Sequence, residues 1–256
     1  NRYEFNISFD EPYIGYSNWS AGANAYLIRR DVIVSSLTMF SEVKSGAQFK
    51  FGHPIWEFTN MYLTYKFEHA YVDPGTILDT NLVTPQQANG FTSSAIGSIV
   101  FDKRDDRFDP RNGYYWNLAS EYAGLGGDRR YIKNSLNARF YNPMFWDFVF
   151  RLQLVGGNII QTTDRELPIN ELYTLGGIQS LRGYDWFSIG PKKQLSPRGS
   201  PNLDVKIRDT DLAGRDITVG GHNQVFTNAE IEFPILKEAK IRGVVSMPEA
   251  LFKTSG

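Results

Sequence analysis

Cysteine is missing from all 256 residues, which removes disulfide frameworks, thiolate metal sites and thiol nucleophiles together. It leaves the compartment open, because many exported proteins lack cysteine too. Charge of one sign is also missing: 27 basic residues face 28 acidic ones, a formal net charge of -1. Without a one-signed field, nucleic acid is not expected as a partner. Only three histidines occur, His53, His69 and His222, and their scatter gives no zinc spacing. Long apolar runs are lacking as well, none approaching the roughly 18 residues of a membrane-spanning helix. That excludes a helical span but not a β-barrel, which shows lipid only every second residue.

Alternation with a period of two is what the chain does contain. Tyr3, Phe5, Ile7 and Phe9 fall on one face, with Glu4, Asn6, Ser8 and Asp10 on the other. The same reading places Ala47, Phe49 and Phe51 opposite Gln48 and Lys50, and Met61, Leu63, Tyr65 and Phe67 opposite Tyr62, Thr64, Lys66 and Glu68. Later strands are expected at 136–140, 148–154 and 225–233, weaker ones at 19–28, 94–102 and 115–123, and a last one near 240–245. The total is roughly nine or ten strands with no helix of ordinary length.

Short links are read at 12–18, 54–58, 107–113, 143–147 and 234–239, and longer polar loops at 30–45, 69–92 and 157–222, with a tighter glycine-rich one at 124–130. Short turns on one side and longer loops on the other are the habit of a membrane barrel. Trp19, Trp56, Trp116 and Trp146 lie beside short links, where an aromatic girdle would sit; Trp186 lies in the longest loop. A soluble antiparallel barrel or sandwich shares the alternation and differs in turning its apolar face inward. The recurrence of Glu, Lys, Arg, Asn and Gln on the opposite face favours a hydrated lumen.

The longest loop contains Gly176-Gly177-Ile178-Gln179-Ser180-Leu181-Arg182-Gly183-Tyr184. An arginine flanked by glycine and aromatics can enter a confined polar space, with the backbone passing close to a wall at Gly183, and its planar fork suits a carboxylate. A solvated loop arginine is the bland alternative. The cluster Asp102, Asp105, Asp106 and Asp109, beside Pro110 and Gly113, reads as a polar turn ahead of an oxygen-ligand calcium site. Gly124–Gly127 follows a strand without opening a helix, so it is no phosphate cradle.

These residues carry a resemblance. The loop segment from Gly176 to Tyr184 resembles the loop motif of BamA-type barrels, the superfamily of outer-membrane assembly factors and two-partner secretion transporters. Asp102, Arg104, Asp105, Pro110 and Gly113 resemble that family's strand-and-turn signature. Asn228-Ala229-Glu230 with Phe233-Pro234 resembles the strand whose glutamate receives the loop arginine. The resemblance implies an all-β, antiparallel transmembrane β-barrel that is incomplete, roughly strands four to thirteen of a sixteen-stranded one. It implies a partial barrel over residues 1–245, with an extracellular loop at 157–222 that folds back so that Arg182 meets Glu230, and further sequence ahead of Asn1. Residues 246–256 are set apart as atypical, since Pro248 would interrupt a central strand and the family's second acidic partner for the arginine is missing there.

The implied function is insertion of β-barrel proteins into a bacterial-type outer membrane. The implied partners are outer-membrane lipid, unfolded barrel clients and accessory lipoproteins. A secretion transporter of the same superfamily and a passive outer-membrane channel are the alternatives. No enzyme, metal site or cofactor is expected, because no nucleophile with its base, no paired carboxylates and no cofactor fingerprint appear.

Overall fold

A computed structural model describes residues 2–34, 37–73, 77–79, 85–164, 166–178, 180–194, 203–205, 216–236 and 241–251. In chain order it contains β1 (Arg2–Glu11), β2 (Ser20–Val34), β3 (Leu37–Trp56), β4 (Thr59–Asp73), β5 (Ile77–Asp79), the one-turn α1 (Pro85–Ala88), β6 (Asn89–Arg104), β7 (Gly113–Gly127), β8 (Tyr131–Pro143), β9 (Val149–Gln161), β10 (Lys192–Gln194), β11 (Leu203–Val205), β12 (Asp216–Thr218), β13 (Asn223–Leu236) and β14 (Ile241–Leu251). Ten of these strands form one sheet in the order β1-β2-β3-β4-β6-β7-β8-β9-β13-β14. Every neighbouring pair is antiparallel. The sheet is an unclosed barrel wall with β1 and β14 at its edges.

Which face is apolar decides between a soluble and a membrane barrel. On β4, Met61, Leu63, Tyr65, Phe67 and Tyr71 are exposed, while Lys66 and Glu68 are buried. A soluble sandwich would bury the first set and expose the second. The apolar face therefore points outward, and the polar residues line the interior as a lumen requires. The ten steps from Met61 to Tyr71 rise about 33 Å at about 3.3 Å each, or about 25 Å along the normal at the usual tilt, the height of a lipid-facing band.

On β7 the band is graded. Tyr114 and Trp116 lie at the short-turn end, Tyr122 lies at the other, and Leu118 is midway, paired with Ile99 and Leu136. Phe101, Tyr114 and Phe140 stack across three strands at the short-turn end, and Trp19, Trp56, Trp116 and Trp146 are all exposed near it. We expect Leu118→Arg to cost about 2–4 kcal/mol of unfolding free energy in lipid vesicles and Tyr122→Arg, nearer the interface, about 0–1 kcal/mol. Equal costs in a urea titration would contradict this placement of the lipid band.

Several connections differ from the sequence reading. Residues 30–45 are mostly strand, β2 running to Val34 and β3 starting at Leu37. The charges there face the lumen as cross-strand partners: Arg30 pairs with Glu42, and Lys44 lies 3.0 Å from the same carboxylate. The 69–92 loop shrinks because β4 reaches Asp73 and β6 begins at Asn89, and β7 includes Gly124–Gly127. The long loop begins after Gln161. Pro54 and Pro234 stay in the ladder beside register shifts, the irregular positions a strand proline tolerates. The expected interruption at Pro248 does not occur either, since β14 pairs with β13 through Leu251, Asn228 facing Pro248. Residues 252–256 of the segment set apart as atypical lie outside the described residues.

Candidate functional site

The loop between β9 and β13 enters the lumen and is fastened at several points. Leu167 packs with Ala123, Tyr131 and Ile159, and Leu172 and Tyr173 lie against that cluster. Tyr173 exchanges backbone hydrogen bonds with Gly221, and Leu175 does so with Ile189, so the two legs of the loop run antiparallel. Gly157 on β9 makes room for the loop: a Cβ there would stand 2.6 Å from the Tyr173 ring. Deeper in, Leu175 and Leu181 are buried against Phe226 of β13, with Val155 and Ile189 around them.

The tip is held by local chemistry. The Gly176 N–H donates to Ser180 Oγ at 2.9 Å, and that hydroxyl donates back to the Gly176 carbonyl at 3.0 Å. Gly177 N–H donates to the Tyr184 carbonyl at 2.9 Å. Gly176 and Gly177 have φ of +115° and +91°, and a Cβ at Gly176 would come within 2.1 Å of the Asp185 carbonyl oxygen. Gly183 differs from its sequence reading. With φ at +90° and nothing within 4 Å of an added Cβ, it approaches no wall, and glycine is favoured there for backbone conformation alone. Tyr184 is exposed. Gln179, also in the motif, lies outside the described residues.

From this tip Arg182 Nη1 reaches Glu230 Oε1 at 2.9 Å. Two positions along β13, Asn228 Nδ2 donates to the Ser180 carbonyl at 2.9 Å. The arginine and the glutamate named from sequence therefore meet.

A second anchor had no counterpart in the sequence reading. Glu171 ends a short 3-10 turn and is buried. Its carboxylate lies 2.7 Å from Lys133 Nζ on β8 and 3.6 Å from Lys44 Nζ on β3. Burial disfavours its ionised form, but Lys133, Lys44 and Lys66 outweigh that and lower its pKa to about 2. Around it the lumen is packed with paired polar groups. Lys66 Nζ lies 2.6 Å from Glu121, Tyr26 donates to Glu68 at 2.6 Å, and Ser94 donates to Glu121 at 2.7 Å. Only the isolation of an acid inside Leu167-Pro168-Ile169-Asn170-Glu171-Leu172-Tyr173 could have pointed to it.

At the short-turn end, Arg104 holds Asp102 bidentately, at 2.7 and 2.8 Å. Asp105 Oδ1 accepts the backbone N–H groups of Asp106, Arg111 and Asn112 at 2.9 to 3.1 Å. Burial works against that carboxylate's charge, yet these donors hold its pKa below the usual carboxylate range. Pro110 is buried in the turn. Gly113 closes it at φ +110°, where a Cβ would lie 2.0 Å from the Lys103 carbonyl oxygen. The acidic residues thus build a turn, and among the described residues no cluster has metal-ligand geometry.

Comparison with known proteins agrees with this architecture. Residues 1–247 match the Omp85 superfamily domain. The chain is 29% identical over 193 residues to the sorting and assembly machinery component 50 homolog A of Xenopus laevis, covering 74% of this chain and 40% of that protein. It is 23% identical over 231 residues to the outer membrane protein assembly factor BamA of Nitratidesulfovibrio vulgaris, covering 90% of this chain and 26% of that one. Its fold matches the crystal structure of BamA from Haemophilus ducreyi lacking POTRA domains 1-3 with a TM-score of 0.78 at 20% identity, over 97% of this chain and 49% of that one. The chain thus spans less than half the length of these relatives.

Proposed function

Because the chain belongs to the Omp85 superfamily, we propose that it is barrel wall and lumen loop of an outer-membrane assembly factor, which folds β-barrel clients into that membrane. Its proposed activity is mechanical, with no covalent chemistry. An antiparallel sheet edge carries unpaired amides that are costly in lipid and seek a strand partner. The wall beside such an edge must keep its shape while a client strand adds. The observation that carries the reading is the loop docked across the lumen, fixed to β13 by Arg182 with Glu230 and to β3 and β8 by Glu171. A passive channel needs an open lumen, and here the docked loop and its ion pairs occupy part of it. A secretion transporter would have to withdraw the loop for every passenger. Accessory lipoproteins are expected to join the complete protein.

Arg182 is 46% exposed on its side chain, so solvent screening keeps its pair near about 1 kcal/mol. Loss of that energy changes the docked-to-undocked ratio by about fivefold. In the complete protein reconstituted into vesicles, Arg182→Ala is therefore expected to slow client insertion by about that factor while the barrel itself stays folded. Arg182→Lys should recover part of the rate, because it keeps the charge and loses the fork. Client folding is read from heat-modifiable migration on gels. An unchanged insertion rate in Arg182→Ala would remove the loop from the mechanism.

A further inference from the structure

Below the docked loop lies a polar cavity of about 690 Å³, whose lining includes Arg139, Arg151, Arg182 and Glu230. Arg139 faces Gln153, and Tyr141 faces Arg151, so the two arginines are diagonal neighbours on the lumen face of β8 and β9. The Nε atoms of both are buried and meet no acceptor among the described residues. A smaller space of about 230 Å³ lies toward the short-turn end, lined by Arg111, Glu232 and Arg242 among others.

The group already seated between these arginines is informative. Asp109 lies on the β6–β7 turn, yet its carboxylate is gripped by Arg242 at the start of β14, Oδ1 to Nη1 at 2.5 Å and Oδ2 to Nη2 at 2.6 Å. Arg151 Nη2 stands 3.8 Å away from it. The two arginines also share Glu232, at 2.5 Å each. Across the two spaces five guanidiniums, those of Arg111, Arg139, Arg151, Arg182 and Arg242, share four carboxylates, those of Asp109, Asp147, Glu230 and Glu232. Glu230 and Glu232 are fixed on β13. Asp109 belongs to a solvent-facing turn, with its side chain 47% exposed, so it can leave without unpairing a strand.

We propose that Arg151 and Arg242, with Arg139 beside them, form a carboxylate-binding site for an extended acidic polypeptide segment, and that Asp109 fills this site as an internal competitor. Withdrawal of Asp109 would leave Arg151 and Arg242 sharing the single carboxylate of Glu232, one positive charge in excess, with a guanidinium fork on Arg242 free to take another carboxylate. Arg151 lines the larger cavity and Arg242 the smaller one beside it, so an extended segment reaching from one to the other would pass both. The side-chain carbonyl of Asn228, whose amide nitrogen already holds Ser180, is left to accept from its backbone. The inference deepens the assembly reading by naming a contact for the client. Binding and insertion are separate assays, so either can fail alone.

The test uses the complete protein in detergent micelles and fluorescence anisotropy of a labelled hexapeptide carrying two glutamates, with a glutamine twin as control. Asp109→Asn is expected to bind the glutamate peptide about fivefold more tightly than the parent, because an occluded site weakens apparent affinity by the fraction that is free. Asp109→Glu should behave as the parent, and Arg151→Gln and Arg242→Gln should lose the glutamate preference. Heat-modifiable migration checks that each variant is folded; if Arg242→Gln does not fold, Asp109→Asn and Arg151→Gln still decide. Three outcomes overturn the proposal: Asp109→Asn binding no more tightly, equal binding of the two peptides, or inorganic phosphate displacing the peptide better than acetate at equal ionic strength.

Discussion

Replacing Glu171 with alanine is expected to cost about 3–5 kcal/mol of unfolding free energy at neutral pH, the usual penalty for removing one partner of a buried ion pair. The residue is only 7% exposed, and its loss would leave Lys133 and Lys44 facing each other across the space it fills. Its depressed pKa gives a matching figure. Lowering from 4.5 to about 2 is worth about 3 kcal/mol of preference for the ionised, folded form. The sign follows from the direction. A carboxylate whose folded pKa lies below its unfolded value contributes stability above the unfolded pKa and loses it as pH falls through the folded one. The gap between parent and Glu171→Ala should therefore be constant from neutral pH to about 5, shrink below about 4.5 and vanish near 2. Urea unfolding in vesicles across that range measures it. No gap at neutral pH, or a gap that persists at pH 2, would sink the two-anchor description. The exchange Glu171→Lys with Lys133→Glu should recover part of the loss, since it restores one pair of the two.

Gly176→Ala is expected to be the most damaging single methyl in the loop, at about 3 kcal/mol of loop docking. Its added carbon would meet the Asp185 carbonyl oxygen at 2.1 Å, and its φ of +115° is one that side chains rarely adopt. Backbone strain of about 1–2 kcal/mol and overpacking of about 1–3 kcal/mol add because the obstacle is backbone and cannot rotate away. Gly183→Ala bears only the first, since its Cβ would enter open space. Limited trypsin cleavage after Arg182 reads the difference, because the protease needs an extended segment and the docked tip is held folded by the Gly176–Ser180 and Gly177–Tyr184 hydrogen bonds. Gly176→Ala should cleave much faster than the parent, with Gly183→Ala between them. The reverse order would mean that crowding at the Asp185 carbonyl does not hold the tip.

Alternation made the strands legible. Met61, Leu63, Tyr65 and Phe67 against Lys66 and Glu68 gave β4 its register and its two faces, because a period of two is a local property of an extended chain. The loop arginine stood out by its glycine and aromatic neighbours, whereas Glu230 was named as its partner only through the resemblance to BamA-type barrels. The strand ends were not. Arg30, Glu42 and Lys44 look like loop residues in a linear reading, yet they neutralise one another across β2 and β3. Charge reads as solvent exposure until its partner is known.

The sequence by itself therefore determined the strands, the apolar face and the short turns, which follow from periodicity or residue type within a few positions, while the two ends of the Arg182 contact followed from the family resemblance. Tertiary structure alone decided that Pro248 stays in the ladder with β13, that Glu171 joins β3 and β8, and that Asp109 reaches Arg242. Each of these depends on residues far apart in the chain. Curvature of the sheet brings them together, and no local pattern encodes which distant charge a buried one will meet.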